Sequence, residues 1–397
     1  MDVGGKPSLL CMTLAIALFL SAPVRGVGGD ATLSFDLDSV ELSAASAHLM
    51  DATTGAELFS HRADERRAPA SMTKIITMAV IFDALKAGTI RLDDVVVVSA
   101  RASGMGGSQV FLEKGEEMSV EDLLRAVAIS SANDASVALA EHVSGSVEAF
   151  VDDMNALGEH LGLINSHFTN PHGLDHPEHY STARDINHFA SYLLRTHPEV
   201  TDYTSVWTDW LREDTDDPFW LTNTNRLLGD YPGMDGLKTG RTEESGWCLS
   251  ATAVRDGTRF IVTVINSPTS DERFDDVERL LDGGFAAAET VYLVEPGDVM
   301  AEVPLWEADV QSIELTVGER VVVTVPRGTA DQVALRVEEP DAALAAPLSQ
   351  ESPVASVSAE LEGTSIAEYS LVPVRNVERC GPVTLFVRML RRLWVFR

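Results

Sequence analysis

Hydrophobic and polar positions change their period several times along this chain. A short apolar run from Leu9 to Leu20 comes first. Ala45 to Asp51 and Glu57 to His61 then alternate like strands, with Thr53-Thr54-Gly55 as the hairpin turn between them. From Ser71 onward Ile75, Ile76, Met78, Val80, Ile81 and Leu85 recur at helical spacing and stop at Gly88. That helix is apolar on most sides, so it belongs in a core. Val95 to Val98 reads as a short strand, and the Gly- and Ser-containing stretch Arg101 to Gln109 as a loop. Ser119, with Asp122 three residues on, caps a helix that runs through Leu123, Leu124, Val127 and Ile129. A turn at Ser130 to Asp134 separates it from a second helix, Ala135 to Val143, and Ser181 to Asp185 opens another. Gly246 to Val254 and Arg259 to Ile265, around Asp256-Gly257, predict an antiparallel hairpin.

Glu295-Pro296-Gly297 breaks the pattern. Beyond it Val303 to Trp306, Ser312 to Val317, Val321 to Val325, Val333 to Val337, Val354 to Glu360 and Tyr369 to Val374 are short alternating segments, which predict a small β-sandwich. From Pro382 the period is helical again, with Phe386, Met389, Leu390, Leu393 and Phe396 recurring and Trp394 beside them.

Composition and charge sharpen this picture. The 397 residues suffice for two or three domains, and at 45% hydrophobic they can build real cores. Lys plus Arg is 30 against 61 Asp plus Glu, a formal net charge of -31. Such a body repels nucleic acid; its acidity suits a soluble secreted protein or concentrated salt. Cys11, Cys248 and Cys380 lie far apart without CxxC spacing, which indicates neither a disulfide framework nor a zinc site. Lys6, the short apolar run and Ser21-Ala22-Pro23 read as a secretory signal within residues 1–29. The run is too short for a comfortable membrane span. The mature protein is therefore expected outside the cytoplasm. The C-terminal end inverts the charge: Arg375, Arg379, Arg388, Arg391, Arg392 and Arg397 face only Glu378. A basic amphipathic helix over 376–397, bearing a Trp, is expected to lie in a membrane interface rather than cross it.

Three short constellations carry candidate chemistry. Ser71 and Lys74 stand one helical turn apart and so share a face. A lysine held in a desolvated, cation-rich pocket loses its proton readily, and the pair forms a nucleophile with its base. Ser131 and Asn133, two apart in a turn, can point a hydroxyl and a carboxamide into one cleft. Lys238-Thr239-Gly240, on the edge of a strand, offers a positive charge and a hydroxyl to a substrate carboxylate, and Gly240 lets a ligand backbone lie close. His172, His176 and His179 sit in a Pro/Gly-rich loop with no fixed face on which to converge, so no metal site is expected there. Arg226 places a cation near the Lys238 motif in sequence. Cys248 reads as a small buried residue.

Ser-x-x-Lys, Ser-x-Asn and Lys-Thr-Gly, in that order, resemble the motif set of β-lactamases and penicillin-binding proteins. Leu49-Met50-Asp51, Pro69-Ala70-Ser71, Asn133-Asp134-Ala135 and Asn170-Pro171-His172-Gly173-Leu174 narrow this. They look like the serine D-alanyl-D-alanine carboxypeptidases of the low-molecular-mass, penicillin-binding protein 5 type. The resemblance implies an α/β (α+β) transpeptidase-like catalytic domain over 30–290, with an antiparallel sheet flanked by helices. A β-sandwich over 291–375 and the anchoring helix follow. It implies that Ser71 is acylated, Lys74 is its base and Ser131 and Asn133 line the cleft. Lys238 and Thr239, with Gly240, would hold the substrate carboxylate, and the backbone N–H groups of Ser71 and Arg241 the oxyanion. Arg226 would match an Arg close to the active site. No cofactor or metal is implied.

The expected substrate is the peptidoglycan pentapeptide, with β-lactams as covalent inhibitors, at the outer face of the cytoplasmic membrane in the periplasm. Two departures stand out. Asn133 follows Ala132, where the motif's middle residue is Asp, and position 241 is Arg, where relatives often carry Thr or His. A penicillin-binding sensor or scaffold that binds but hardly turns over is one rival, against which the intact motifs argue; a β-lactamase is the other. It is disfavoured by the second domain, by the tail and by the lack of a Glu-x-x-Leu-Asn element between Ser131 and Lys238.

Overall fold

The computed structural model describes residues 33, 35–37, 40–338, 340 and 344–387. The expected signal over 1–29 and the last ten residues of the expected anchor lie outside the described residues. In chain order the first unit runs β1 (Ser46–Asp51), β2 (Glu57–His61), α1 (Thr73–Lys86), β3 (Val95–Val97), α2 (Ala100–Ser103), β4 (Glu117–Ser119) and α3 (Val120–Ser130). It continues with α4 (Asn133–Ser144), α5 (Val147–His160), α6 (Ala183–Thr196), α7 (Thr201–Thr204), β5 (Thr208–Leu211), β6 (Phe219–Thr222) and α8 (Leu227–Asp230). It closes with β7 (Met234–Thr242), β8 (Gly246–Arg255), β9 (Thr258–Ser267) and α9 (Ser270–Ala287).

β1, β2, β7, β8 and β9 form one antiparallel five-stranded sheet in the order β2-β1-β9-β8-β7. The last strand in the chain, β9, therefore comes back to pair with the first, β1, in the middle of the sheet, which leaves β7 as an edge strand beside α1. α9 covers one face of the sheet, where Leu280, Leu281 and Phe285 join Leu49, Phe260 and Val262 in one core. α6 covers the other face and packs on α1. α1 is buried almost all round, from Thr73 to Phe82, as its unbroken apolar pattern predicts. The capping residues read from the sequence are in place. Ser119 Oγ accepts the Asp122 N–H at 3.0 Å, and Thr182 Oγ1 accepts that of Asp185 at 3.0 Å.

The second unit runs β10 (Ala288–Val294), β11 (Ala301–Trp306), β12 (Ser312–Val317), β13 (Val321–Pro326), β14 (Val333–Glu338), β15 (Leu344–Ala345), β16 (Ala355–Leu361) and β17 (Thr364–Pro373). A six-stranded sheet, β14-β16-β17-β12-β11-β15, faces the two-stranded sheet of β10 and β13. Val294 and Val321 from the small sheet pack with Leu315, Val357 and Leu371 from the large one. The units are joined at Asp51. Its carboxylate accepts the Thr53 N–H at 2.7 Å at the tip of the β1–β2 hairpin, and hydroxyls from Thr290 at 2.6 Å and Thr324 at 2.9 Å in the second unit.

Several expectations need correction. Residues 101–103 of the expected loop belong to a helical turn, Ala100–Ser103, because Ser99 Oγ caps the N–H groups of Arg101 and Ala102. The hydrophobic pattern singled out neither α5, nor α9, nor the β5–β6 hairpin. Residues 376–381 are not helical: Val377 bridges to Leu348 and Arg379 to Ala308, so they still line the β-domain. Helix begins at Pro382, and within it Val383, Phe386 and Val387 are exposed. No described helix is long and apolar enough to cross a membrane.

Candidate active site

The cleft is built at the meeting of α1, the α3–α4 turn, the loop 169–179 and β7. Ser71 lies in a tight 3-10 turn, Ala70–Met72, which runs straight into α1. Lys74 is therefore one turn further on and fully buried. Its Nζ is 3.2 Å from Ser71 Oγ, 2.7 Å from Asn133 Oδ1 and 2.7 Å from the His172 carbonyl oxygen. Burial pushes the Lys74 ammonium well below its usual range, and the positive charge of Lys238 pushes the same way, against Asp134. A neutral amine has two N–H bonds and one lone pair. Asn133 and His172 take both N–H groups, which turns the lone pair toward Ser71. The geometry is that of a base waiting for the serine proton.

The α3–α4 turn is fixed from behind. Ser131 is the left-handed residue, at φ 62, that ends α3, and it is buried. Asn133 is held by its Nδ2, which donates to Gly106 O at 2.8 Å, and by its backbone N–H on Ser108 O at 2.8 Å. Those bonds assign Oδ1 to Lys74. The Asp134 carboxylate accepts the N–H groups of Val110 and Leu112, each at 3.1 Å, and so pins the loop that carries Gly106 and Ser108. This framework is in place with Ala132, fully buried, where the motif has its middle Asp.

The opposite wall is β7. Lys238 is buried and its Nζ donates to one backbone oxygen, Thr239 O, at 3.1 Å. Burial and then the charge of Arg273 push it down to about 7. Thr239 Oγ1 shares a hydrogen bond of 2.5 Å with Thr224 Oγ1. At Gly240 an added Cβ would sit 3.1 Å from Pro69 O and 3.3 Å from Ser71 N, so glycine lets this strand press against the nucleophile turn.

Arg226 does not join this wall. Its guanidinium donates to Asp271 at 2.6 Å and stacks on Phe274 at 4.4 Å, half-exposed. The cation that acts on Lys238 is Arg273, on α9. It is buried, donates to Cys248 O at 3.2 Å and stacks between Phe274, at 4.3 Å, and Trp247, at 5.2 Å. Arg241 stacks on the same Trp247 ring at 4.7 Å. Arg273 follows Ser270-Asp271-Glu272, which reads as an ordinary acidic helix start, so nothing local in the sequence marked it.

The loop 169–179 is tied to α1 by main-chain contacts that no side-chain motif advertises. Beyond the His172 carbonyl on Lys74, Pro171 O accepts the Thr77 hydroxyl at 2.7 Å. Asn170 Oδ1 accepts the Gly173 N–H at 2.7 Å. Burial pushes His172 down to about 3 and His179 down to about 4. His176 is exposed, so the three histidines do not converge. Among the described residues no group of three or more His, Cys, Asp or Glu is placed to hold a metal.

Residues 33–269 match the family model described as D-alanyl-D-alanine carboxypeptidase, and residues 289–379 match the C-terminal domain of penicillin-binding protein 5. The chain is 38% identical over 386 residues to the D-alanyl-D-alanine carboxypeptidase DacF of Bacillus subtilis, covering 97% of this chain and 98% of that protein. It is 37% identical over 356 residues to DacC of Escherichia coli, covering 87% and 88%. Among solved structures, penicillin-binding protein 5 from Haemophilus influenzae superimposes with a TM-score of 0.78 at 36% identity, covering 86% of this chain and 99% of that one. Penicillin-binding protein D2 from Listeria monocytogenes, solved in an ampicillin-bound form, matches with a TM-score of 0.56 at 33% identity, covering 62% and 99%. A half-buried Ser71 beside a buried Lys74, facing a Lys-Thr-Gly edge strand, with a second, β-sheet domain following in the chain, thus sits in a chain that belongs to the D-alanyl-D-alanine carboxypeptidase family of serine peptidases, in its penicillin-binding protein 5 type.

Proposed function

We propose that this chain removes the terminal D-alanine from peptidoglycan pentapeptides through an acyl-enzyme on Ser71. The observation that carries the reading is the fully buried Lys74 Nζ, with Asn133 Oδ1 and the His172 carbonyl oxygen each at 2.7 Å and Ser71 Oγ at 3.2 Å. Ser71 Oγ attacks the carbonyl carbon of the penultimate D-Ala while its proton passes to Lys74 Nζ. The N–H groups of Ser71 and Arg241 hold the oxyanion. The peptide C–N bond breaks as the leaving nitrogen takes a proton from Lys74 by way of the Ser131 hydroxyl. Asn133 fixes the Lys74 amine and the substrate amide, and Lys238 and Thr239 hold the terminal carboxylate. Water then adds to the ester, Lys74 takes its proton, and Ser71 leaves with a proton restored. A β-lactam acylates the same oxygen, as the ampicillin-bound relative supports.

The enzyme works in the periplasm, attached to the outer face of the cytoplasmic membrane by its C-terminal helix. Support comes from the signal-like N-terminus and from the basic, Trp-bearing end of an otherwise acidic chain. Exposed Val383, Phe386 and Val387 on the described part of the helix add to it. The test is Ser71→Ala, assayed for D-Ala release and for covalent capture of a fluorescent penicillin. Both are expected to vanish; stoichiometric label on the variant refutes the assignment.

A further inference from the structure

The residue before the nucleophile is held in an unusual conformation. Ala70 has φ 49, a left-handed backbone that a residue with a Cβ rarely adopts. Two contacts keep it there. Gly173, at φ 87, lies so close that an added Cβ would sit 1.9 Å from Ala70 O. The Thr73 hydroxyl, one turn on in α1, reaches back to the same carbonyl oxygen at 2.8 Å. Thr73 Oγ1 is also 2.8 Å from His179 Nε2, and both groups are buried.

The directions of these bonds follow from counting hydrogens. The Thr169 backbone N–H donates to His179 Nδ1 at 3.0 Å, so Nδ1 carries no proton. A neutral imidazole must then carry its proton on Nε2, and that N–H faces Thr73 Oγ1. With its oxygen accepting from His179, the Thr73 hydroxyl has its one hydrogen free for Ala70 O. The chain Thr169 N–H to His179, His179 to Thr73, Thr73 to Ala70 uses each hydrogen once and leaves no polar group of the three unsatisfied. Burial, which pushes His179 down to about 4, keeps the ring neutral at physiological pH.

We propose that His179 is a positioning residue for acylation: its Nε2–H sets the Thr73 hydroxyl on the Ala70 carbonyl and thereby fixes the turn that aims Ser71 Oγ at Lys74. His179 reaches no reacting atom in this scheme and acts only through Thr73. The inference rests on Ser71 being the nucleophile. It gives a second duty to the loop that already offers the His172 carbonyl to Lys74. One loop thus holds the base by its backbone at His172 and the nucleophile turn by its side chain at His179.

The experiment follows acylation by a fluorescent penicillin under saturating conditions, which separates the maximal acylation rate from the half-saturating concentration. The full-length chain is used, with the wild-type label mapped by peptide sequencing. His179→Ala is expected to lower the maximal rate by about tenfold to a hundredfold, the scale of a misaligned reacting group, with little change in half-saturation. His179→Gln, whose amide can still donate to Thr73, is expected to recover most of the rate. Thr73→Val keeps the shape and removes the hydroxyl, and is expected to match His179→Ala. The double variant is expected to be no slower than the slower single one, because both changes cut one relay.

A wild-type maximal rate in His179→Ala overturns the inference, and so does a loss seen only in half-saturation. Losses that multiply in the double variant, or no recovery in His179→Gln, also overturn it. If His179→Ala does not fold, Thr73→Ser against Thr73→Val decides: equal rates in the two sink the relay. Wild-type label mapping elsewhere than Ser71 sinks the nucleophile assignment beneath it, whereas label on Ser71 with unimpaired variants sinks this inference alone.

Discussion

Two lysines stand on facing walls of one cleft, both out of water, and they are equipped for opposite work. Lys74 has an acceptor at 2.7 Å for each N–H of its neutral form. Lys238 has one backbone acceptor, at 3.1 Å, and a buried arginine nearby. Burial lowers both. What differs is which protonation state the surroundings leave satisfied. The Lys74 pocket satisfies an amine and so makes a base. Among the described residues the Lys238 pocket offers its N–H groups one acceptor and adds the positive charge of Arg273, so it is suited to be completed by an anion. The lesson is that desolvation alone does not define a catalytic lysine; which groups stand around it does, and Lys74 has a serine hydroxyl within reach.

The largest effect that could break this contrast comes from Lys74→Arg. Arginine keeps a charge but stays protonated, so acylation is expected to fall by about 100-fold or more, the range of general-base loss. A near-wild-type acylation rate in a rapid-mixing assay would move the base elsewhere. Lys238→Ala comes next. It removes one charge-assisted contact, about 1.5–3 kcal/mol, and is expected to raise KM for peptides with a free C-terminal carboxylate. Esters lacking that carboxylate should be nearly indifferent, and an equal loss on both substrates would make Lys238 part of the chemistry instead.

A smaller effect lies in the pH dependence of KM. The Lys238 amine, pushed down to about 7, is charged below that value and neutral above it. KM for carboxylate substrates is therefore expected to climb as pH rises through about 7. Arg273→Gln takes away a charge that depresses Lys238, so the climb is expected to move to higher pH. The smallest effect is the removal of residues 382–397, which is expected to free the protein from liposomes in co-sedimentation while leaving D-Ala release unchanged. Lost activity would mean that the tail supports the fold.

The walls of this cleft were unequally legible in the sequence. Ser71 and Lys74 are three residues apart, and helical spacing alone puts them on one face. Ser131, Asn133 and Lys238-Thr239-Gly240 were legible as motifs, and their order identified the family. The fold followed where the local period was clear: the β1–β2 and β8–β9 hairpins and the α1 core helix form where the alternation and the apolar run place them. Contacts made by backbone or across long separations were not legible. The His172 carbonyl reaches Lys74 from 98 residues away, and no side-chain pattern encodes a carbonyl direction. Arg226 is close to the motif in sequence but turns to Asp271, whereas Arg273, 35 residues beyond Lys238, comes back to it because α9 folds over the sheet. The β5–β6 hairpin was missed because an acidic, Trp-rich stretch reads as surface, although Leu211 and Leu221 are buried in the main core.

The central claim is that Lys74 is neutral and takes the Ser71 proton, and that Lys238 helps keep it so. The pH profile of acylation by a penicillin, in the wild type and in Lys238→Ala, tests it most directly. The acid limb of the profile belongs to Lys74: acylation is expected to be lost as pH falls through a pKa far below that of an ordinary lysine. In Lys238→Ala that limb is expected to persist but to shift to higher pH, because a positive charge that depresses Lys74 is gone. A wild-type rate that rises only toward pH 10, as for a solvated lysine, would contradict the account. So would an acid limb unmoved by Lys238→Ala.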